Sequence, residues 1–197
     1  WLINDVLDMS KIESGKITLN NEAFSMAELI YSFTDIIKPQ IQAKGLEFDI
    51  KTLNLSHEEV IGDTVRLNQI LLNIVGNAIK FTPEGGQICV RAALADEYTL
   101  QIDVTNTGEL MTQKTIDGLF KRFYEGDYRR HNTIGTGIGL ALVKDLVALH
   151  HGTIEAFSNE QTGNCFRIML PVDKETYRQE ELDETAVSYT HLRAHET

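Results

Sequence analysis

An apolar stripe between residues 64 and 81 restricts the fold of this chain more than any other feature. Asp63 is a good N-cap for a helix that begins at residue 64. Apolar residues then recur at helical spacing and form one wide face: Leu67, Ile70, Leu71, Ile74, Val75, Ala78 and Ile79. Because a face of this width must be buried against a second layer, we expect helix 64–81 to lie at the centre of a layered fold.

Alternating apolar and polar residues predict the second layer. They indicate strands at residues 46–51, 88–94, 98–104, 153–158 and 164–170. Two more helices are predicted, at residues 26–44 and 138–150, and Pro39 should disturb the first of them. The elements lack the regular β-α-β spacing of a doubly wound sheet. The predicted fold class is therefore α+β, a two-layer sandwich in which helices cover one face of a mixed sheet.

Charge and hydropathy weigh against two broad classes of function. The formal net charge of -11 argues against non-specific nucleic-acid binding, which needs a basic face. No apolar run approaches the roughly 20 residues that span a bilayer, so we expect no membrane segment in this stretch. Cys89 and Cys165 match no metal-ligand spacing, and we expect both to be buried strand residues in a reducing compartment.

A glycine-rich loop precedes the last predicted helix. It reads Gly135-Thr136-Gly137-Ile138-Gly139-Leu140. Glycines let a backbone approach a phosphate closely, and the N-terminus of the following helix suits anions. The alternative is a flexible loop that only permits a tight turn. The loop is not a dinucleotide-binding fingerprint, because Leu140 stands where that pattern needs glycine.

Polar residues of helix 64–81 form a second candidate site. Asn73, Asn77 and Lys80 share one side of the helix. Amide oxygens can coordinate Mg²⁺, and Lys80 can meet phosphate oxygens as a point charge. The alternative is an ordinary solvated helix face. Asn106 extends the inward face of strand 98–104, where it either binds an adenine edge or makes a turn bond beside Thr107.

Charged and aromatic residues precede the glycine loop. Three arginines either reach a γ-phosphate or are solvated: Arg122, Arg129 and Arg130. Phe120, Phe123 and Tyr124 are expected to anchor the start of this segment to the core.

Taken in order, these motifs resemble the catalytic domain of sensor histidine kinases in the GHKL ATPase superfamily, which has the Bergerat fold. Residues 67–83 resemble the family's N box, and residues 119–124 resemble its F box. Residues 135–142, with 151–154 after them, resemble its G2 box and the following strand. Residues 2–15 resemble the end of the dimerisation helix that precedes this domain.

The resemblance implies a mechanism and a set of roles. Asn77 would hold Mg²⁺ with Asn73 assisting, Lys80 would touch phosphates, and residues of about 125–134 would form a lid over ATP. Further ATP contacts would come from Phe81, Asn106, Gly108, Leu110, Arg122, Arg129, Arg130, Gly135, Thr136, Gly137, Ile138, Gly139 and Leu140. The γ-phosphoryl group would pass to a histidine on the dimerisation helices of a homodimer. It would then pass to an aspartate on the receiver domain of a response regulator.

Two departures from the family pattern keep other functions open. The segment Asn106-Thr107-Gly108-Glu109-Leu110 stands where members carry Asp-x-Gly-x-Gly, and the loss of charge should weaken adenine binding. A non-catalytic nucleotide sensor is therefore one alternative. Another GHKL ATPase is a second, although such enzymes use a glutamate where Asn73 stands, and an amide cannot accept a proton from water.

The expected domain organisation follows from the resemblance and from composition. Residues 1–15 would end a dimerisation helix, 16–175 would form the catalytic domain and 176–186 a charged linker. Residues 187–197 resemble the translation of a sequencing adapter, with a natural disordered tail as the alternative. The phosphoacceptor histidine would lie upstream of Trp1. The parent would be attached to the inner membrane with this domain in the cytoplasm, and the acidic stretch 174–185 is compatible with a hybrid kinase.

Overall fold

The computed structural model describes residues 2–53, 55, 59–124, 137–172 and 176–177. The predictions for Trp1, for residues 125–136 and for residues 178–197 therefore lie outside the described part of the chain. Helices and strands follow one another as α1 (Leu2–Glu13), β1 (Glu22–Ser25), α2 (Met26–Ala43), β2 (Glu47–Leu53), β3 (Glu59–Gly62), α3 (Thr64–Phe81), β4 (Gln87–Asp96), β5 (Thr99–Asn106), α4 (Gln113–Gly118), α5 (Gly139–Leu149), β6 (Thr153–Asn159) and β7 (Gly163–Pro171).

The main sheet is mixed and has five strands in the order β2-β4-β5-β7-β6. β2 pairs with β4 in parallel, and the other neighbours are antiparallel. Alternate side chains on one face join the apolar faces of α2, α3 and α5 in a single core, in which Val90, Val104 and Ile168 are fully buried. The predicted α+β sandwich, with helices on one face of a mixed sheet, is confirmed.

Both ends of α3 are held by side chains of residues outside the helix, Asp63 at its N-terminus and Lys44 at its C-terminus. Asp63 accepts the Arg66 N–H at 3.0 Å with one carboxylate oxygen and the Asn20 N–H at 3.0 Å with the other. At the other end, the Lys44 ammonium donates to the carbonyl oxygens of Ile79 at 2.7 Å and Lys80 at 3.0 Å. These bonds satisfy carbonyls that the helix leaves free at its C-terminus. The polar side chains of α3 therefore project from a rigid element.

Three local expectations need correction. α2 continues through Pro39 to Ala43, because the residues on either side of the proline, Ile37 and Ile41, are held in the core. The short elements β3 and α4 were not predicted, and β3 pairs with β1 in a separate two-stranded sheet. Cys89 is only half-buried on the face of the sheet away from the helices, whereas Cys165 is buried as expected.

α1 lies against the rest of the chain through polar contacts. Asp8 accepts hydrogen bonds from the Arg66 guanidinium at 2.8 Å and from the Gln69 amide at 3.0 Å. Near the end of α1, Glu13 pairs with Arg122. Met9 supplies a buried apolar contact beside them. Within the described residues, no helix has the length and apolar character needed to span a membrane.

Candidate functional site

A cavity of about 400 Å³ opens between the C-terminal half of α3 and the ends of β5 and β7. Its lining is largely apolar, and its polar side chains come from two places in the fold. One group lies on α3 around Lys80 and the other at the ends of β5 and β7 around Asn106; we name them the Lys80 end and the Asn106 end. The described lining residues are Lys44, Asn77, Ala78, Lys80, Phe81, Thr82, Pro83, Asn106, Glu109, Met111, Leu119, Leu140, Asn164 and Phe166. Of the sequence candidates, the cavity thus brings together Asn77, Lys80, Phe81, Asn106 and Leu140.

The Lys80 end of the cavity is built from one helical turn of α3. The Lys80 ammonium lies 5.1 Å from the centre of the Phe81 ring, and burial lowers the pKa of Lys80. Asn77 is half-buried, and among the described residues its amide has no hydrogen-bond partner. An unpaired amide oxygen beside a lysine can take part in holding a cation and an anion together, as Mg²⁺ bound to phosphate requires.

The Asn106 end of the cavity carries a buried amide with a defined orientation. Asn106 is 5% exposed, and its Nδ2 donates to the Thr107 carbonyl at 3.0 Å. Asn106 therefore points inward, as predicted from the alternation of β5, and it also makes the predicted turn bond to Thr107. The Thr107 carbonyl takes one of the two Nδ2 donors, and among the described residues the Oδ1 atom accepts no hydrogen bond. Gly108 packs so closely that a Cβ there would lie 2.9 Å from the Phe81 carbonyl oxygen.

The glycine loop meets α3 beside the Lys80 end. A Cβ at Gly139 would lie 3.2 Å from the Asn73 Oδ1 atom, so Asn73 faces the start of α5. Asn73 is not among the described lining residues. Ile138 is buried, and Gly137 has a φ of 65°. Gly135, Thr136, Arg129 and Arg130 lie outside the described residues.

Arg122 forms ion pairs in the structure, and Phe123 does not take the role predicted for it. The Arg122 guanidinium pairs with Glu13 of α1 and lies 3.7 Å from the Asp145 carboxylate of α5. Phe123 is 72% exposed, so the prediction that it anchors the segment to the core is wrong. Its backbone has a positive φ of 58°, and its N–H donates to the Gly137 carbonyl. Phe120 does anchor the segment, because its ring meets Phe166 edge-on at 6.4 Å.

Several lining residues were missed by sequence reasoning, notably Lys44, Glu109, Met111 and Asn164. Asn164 begins the alternation that continues through Phe166 and Ile168, which places it on the inward face just as Asn106 ends the alternation of β5. That signal was available in the sequence. Glu109 and Met111 stand on either side of Leu110, which is 38% exposed and not among the described lining residues.

A family model described as histidine kinase-, DNA gyrase B-, and HSP90-like ATPase matches residues 62–174, more than half of the chain. The autoinducer 2 sensor kinase/phosphatase LuxQ of Vibrio parahaemolyticus is 37% identical over 179 residues, which cover 87% of this chain and 20% of that protein. The chain thus spans about a fifth of the length of this curated relative.

Two solved structures extend the comparison. Full-length ShkA in complex with AMPPNP superposes with a TM-score of 0.74 and 28% identity over 86% of this chain and 35% of that chain. ThkA in complex with the response regulator protein TrrA gives a TM-score of 0.70 over 90% of this chain and 49% of that chain, and at 23% identity this likeness shows the fold. The chain belongs to the histidine kinase-, DNA gyrase B- and HSP90-like ATPase family, and within it to the ATP-binding catalytic domains of bacterial sensor histidine kinases.

Proposed function

We propose that the cavity binds ATP with Mg²⁺ and presents the γ-phosphoryl group to a histidine on dimerisation helices. The observation that carries the proposal is that polar side chains of α3 and polar side chains of the sheet line one largely apolar cavity. Asn106 offers an acceptor to the amino group of adenine at one end. Asn77 and Lys80 face the other end, and the two lie one helical turn apart on α3.

The residues at the Lys80 end fit a magnesium ion that is shared with phosphates. Mg²⁺ prefers oxygen ligands and keeps several from water and phosphate, so few protein ligands are required. The Asn77 amide oxygen would be one such ligand, and Asn73 is close enough to the start of α5 to assist. When bound, the ion would neutralise charge on the phosphate oxygens.

The protein's part in phosphoryl transfer is then positioning and charge compensation. Lys80 supports the negative charge of the phosphates, and the apolar lining excludes water from the base. Asn73 carries an amide where a hydrolytic relative would need a general base. An amide cannot accept a proton from water, so the domain holds ATP for transfer and hydrolyses it slowly.

The partners of the domain follow from the same proposal. α1 would be the end of a dimerisation helix in a homodimer, and residues 16–175 would form the catalytic domain. The phosphoryl group would pass to the receiver domain of a response regulator, in keeping with the response regulator bound by ThkA. We also propose that the parent protein is attached to the inner membrane, with this domain in the cytoplasm.

Titration calorimetry with ATP, in magnesium and in chelator, tests the site. Asn77→Ala should weaken binding in magnesium about tenfold or more, as the loss of a charge-assisted contact of roughly 1.5–3 kcal/mol requires. In chelator the variant should bind ATP as the unaltered chain does. Asn68→Ala is the matched control, because this asparagine of α3 bonds Ser32 and does not line the cavity as described. Equal magnesium-dependent affinities for both variants would refute the assignment.

A further inference from the structure

Three polar side chains form a row across the end of the sheet. Asn106 of β5 is the register partner of Asn164 of β7, and Asn164 is the register partner of Ser158 of β6. Asn106 and Asn164 are 5% and 4% exposed. The next positions inward are apolar, as in the Val104 and Phe166 pair. We name Asn106, Asn164 and Ser158 the polar row.

Two members of the polar row hold the loop that follows β5. The Asn164 Nδ2 donates to the Glu109 carbonyl at 3.0 Å. The Met111 N–H donates to the Ser158 Oγ at 3.0 Å and to the Asn164 Oδ1 at 3.3 Å. The Ser158 hydroxyl in turn donates to the Asn164 Oδ1 at 2.7 Å. The backbone is therefore fixed on both sides of Leu110 by side chains of β6 and β7.

The held loop forms one wall of the cavity. Glu109 and Met111 line it together with Asn106 and Asn164. At its start, the Thr107 N–H donates to the Gln87 carbonyl at 2.9 Å. Leu110 does not adopt the positive φ that favours glycine. The loop therefore owes its position to hydrogen bonds from the polar row and not to a glycine conformation at residue 110.

We propose that Asn164 and Ser158 are positioning residues for the nucleobase: they hold Glu109 and Met111 so that the Asn106 end keeps the width and shape of a purine. This inference rests on the proposed binding of ATP. Buried polar networks that are fully bonded rigidify their surroundings. A preorganised wall binds a ligand more tightly than a mobile one, because less conformational entropy is lost on binding. The triphosphate is assigned to the Lys80 end, and the described hydrogen bonds of Asn164 and Ser158 go to the loop and to each other, not to Asn77 or Lys80.

Calorimetry on the full chain, with ATP and with inorganic triphosphate, separates the two ends of the site. Ser158→Ala removes an acceptor of the Met111 N–H, and Asn164→Asp removes the donor to the Glu109 carbonyl. Each should weaken ATP binding about three- to tenfold, the value of one net hydrogen bond. Neither should change the affinity for inorganic triphosphate. Ser158→Thr keeps the hydroxyl and should retain the ATP affinity of the unaltered chain.

Asn159→Ala is the matched control, because Asn159 accepts backbone N–H bonds in the β6–β7 turn from Gln161 and Thr162 and does not bond the loop. Amide hydrogen exchange without nucleotide gives a second measurement, since both acceptors of the Met111 N–H are side chains of the polar row. Exchange at Met111 should be faster in Ser158→Ala than in Asn159→Ala.

Two results would overturn the inference. In the first, Ser158→Ala and Asn164→Asp bind ATP as tightly as Asn159→Ala. In the second, their affinities for ATP and for inorganic triphosphate fall together, as a general loss of structure would cause. In both cases the unaltered chain still binds ATP and the proposed function stands. If the unaltered chain bound no ATP, the proposed function would be refuted and this inference with it.

Discussion

Replacing Gly137 by alanine should cost much more than the same replacement at another glycine with the same backbone conformation. Gly137 has a φ of 65°, and a Cβ there would lie 2.8 Å from the Phe123 Cα and 2.9 Å from the Phe123 carbonyl carbon. These are backbone atoms, so they cannot turn aside as a flexible side chain would. Gly45 has a φ of 59° with nothing within 4 Å of its Cβ position, which makes Gly45→Ala the matched control.

The difference in free energy of unfolding between Gly137→Ala and Gly45→Ala comes from the energy terms that the two variants do not share. Both place an alanine in the left-handed region, at about 1–2 kcal/mol, and both gain about 0.4–1 kcal/mol from a stiffer unfolded chain. Only Gly137→Ala adds an overpacking cost of about 1–3 kcal/mol. It also strains the bond from the Phe123 N–H to the Gly137 carbonyl, 2.9 Å long, which contributes about 0.5–1.5 kcal/mol. The expected difference between the variants is therefore about 1.5–4.5 kcal/mol.

Urea denaturation followed by circular dichroism measures the free energy of unfolding, and calorimetry measures ATP affinity. If the segment around Gly137 opens locally, part of the cost appears as weaker ATP binding instead of lower global stability. Gly45→Ala should leave ATP affinity unchanged. The reasoning is refuted if Gly137→Ala matches Gly45→Ala both in free energy of unfolding and in ATP affinity.

Two further outcomes follow from buried polar groups. Burial lowers the pKa of His150 below its ordinary 6.5. As the pH falls, the unfolded chain therefore takes up a proton before the folded chain does. The contribution of His150 to the free energy of unfolding is present above pH 6.5 and is lost below it. Thermal unfolding between pH 7.5 and 5.5 should show this loss, at most about 1.4 kcal/mol per pH unit. In His150→Gln the stability should fall less steeply with pH. Equal slopes of stability against pH in the two proteins would contradict the reasoning. The Asp8–Arg66 pair, with side chains 12% and 20% exposed, should give a coupling of about 1 kcal/mol in a double-mutant cycle of Asp8→Asn and Arg66→Ala. A coupling near zero would mean that α1 is held mainly by its apolar contacts.

Local periodicity accounts for the elements that were predicted correctly. α3 has a strong apolar pattern over 18 residues. The two neighbouring strands of the β4–β5 hairpin each have a strong apolar alternation. β3 has only four residues, and its partner β1 lies more than 30 residues earlier. α4 has six residues. A short element carries too few periods to be distinguished from a loop, and its stability comes from contacts that the local sequence does not contain.

The roles of charged side chains were harder to predict than the elements that carry them. Arg122 precedes the glycine loop, and its position in the sequence leaves open whether it reaches a γ-phosphate or is solvated. In the fold it pairs with Glu13, 109 positions away, and approaches Asp145 of α5. An arginine forms bonds to whichever carboxylate the packing of helices brings near. Sequence spacing predicts neighbours on one helix, but it does not specify which helix ends meet in space.

Asn106 shows where sequence reasoning ends and geometry is required. Its alternation with Val104 correctly places it on the inward face of β5, but the same pattern leaves open whether it binds a ligand or its own turn. The structure shows that the turn bond forms, from the Asn106 Nδ2 to the Thr107 carbonyl. The register of β5 against β7 puts Asn164 at the neighbouring position of the sheet. A shift of one residue would send Asn164 to the opposite face of the sheet. The presence of Asn106 and Asn164 side by side in the cavity lining is thus a property of two strands paired in one register, which the local pattern of either strand alone does not specify.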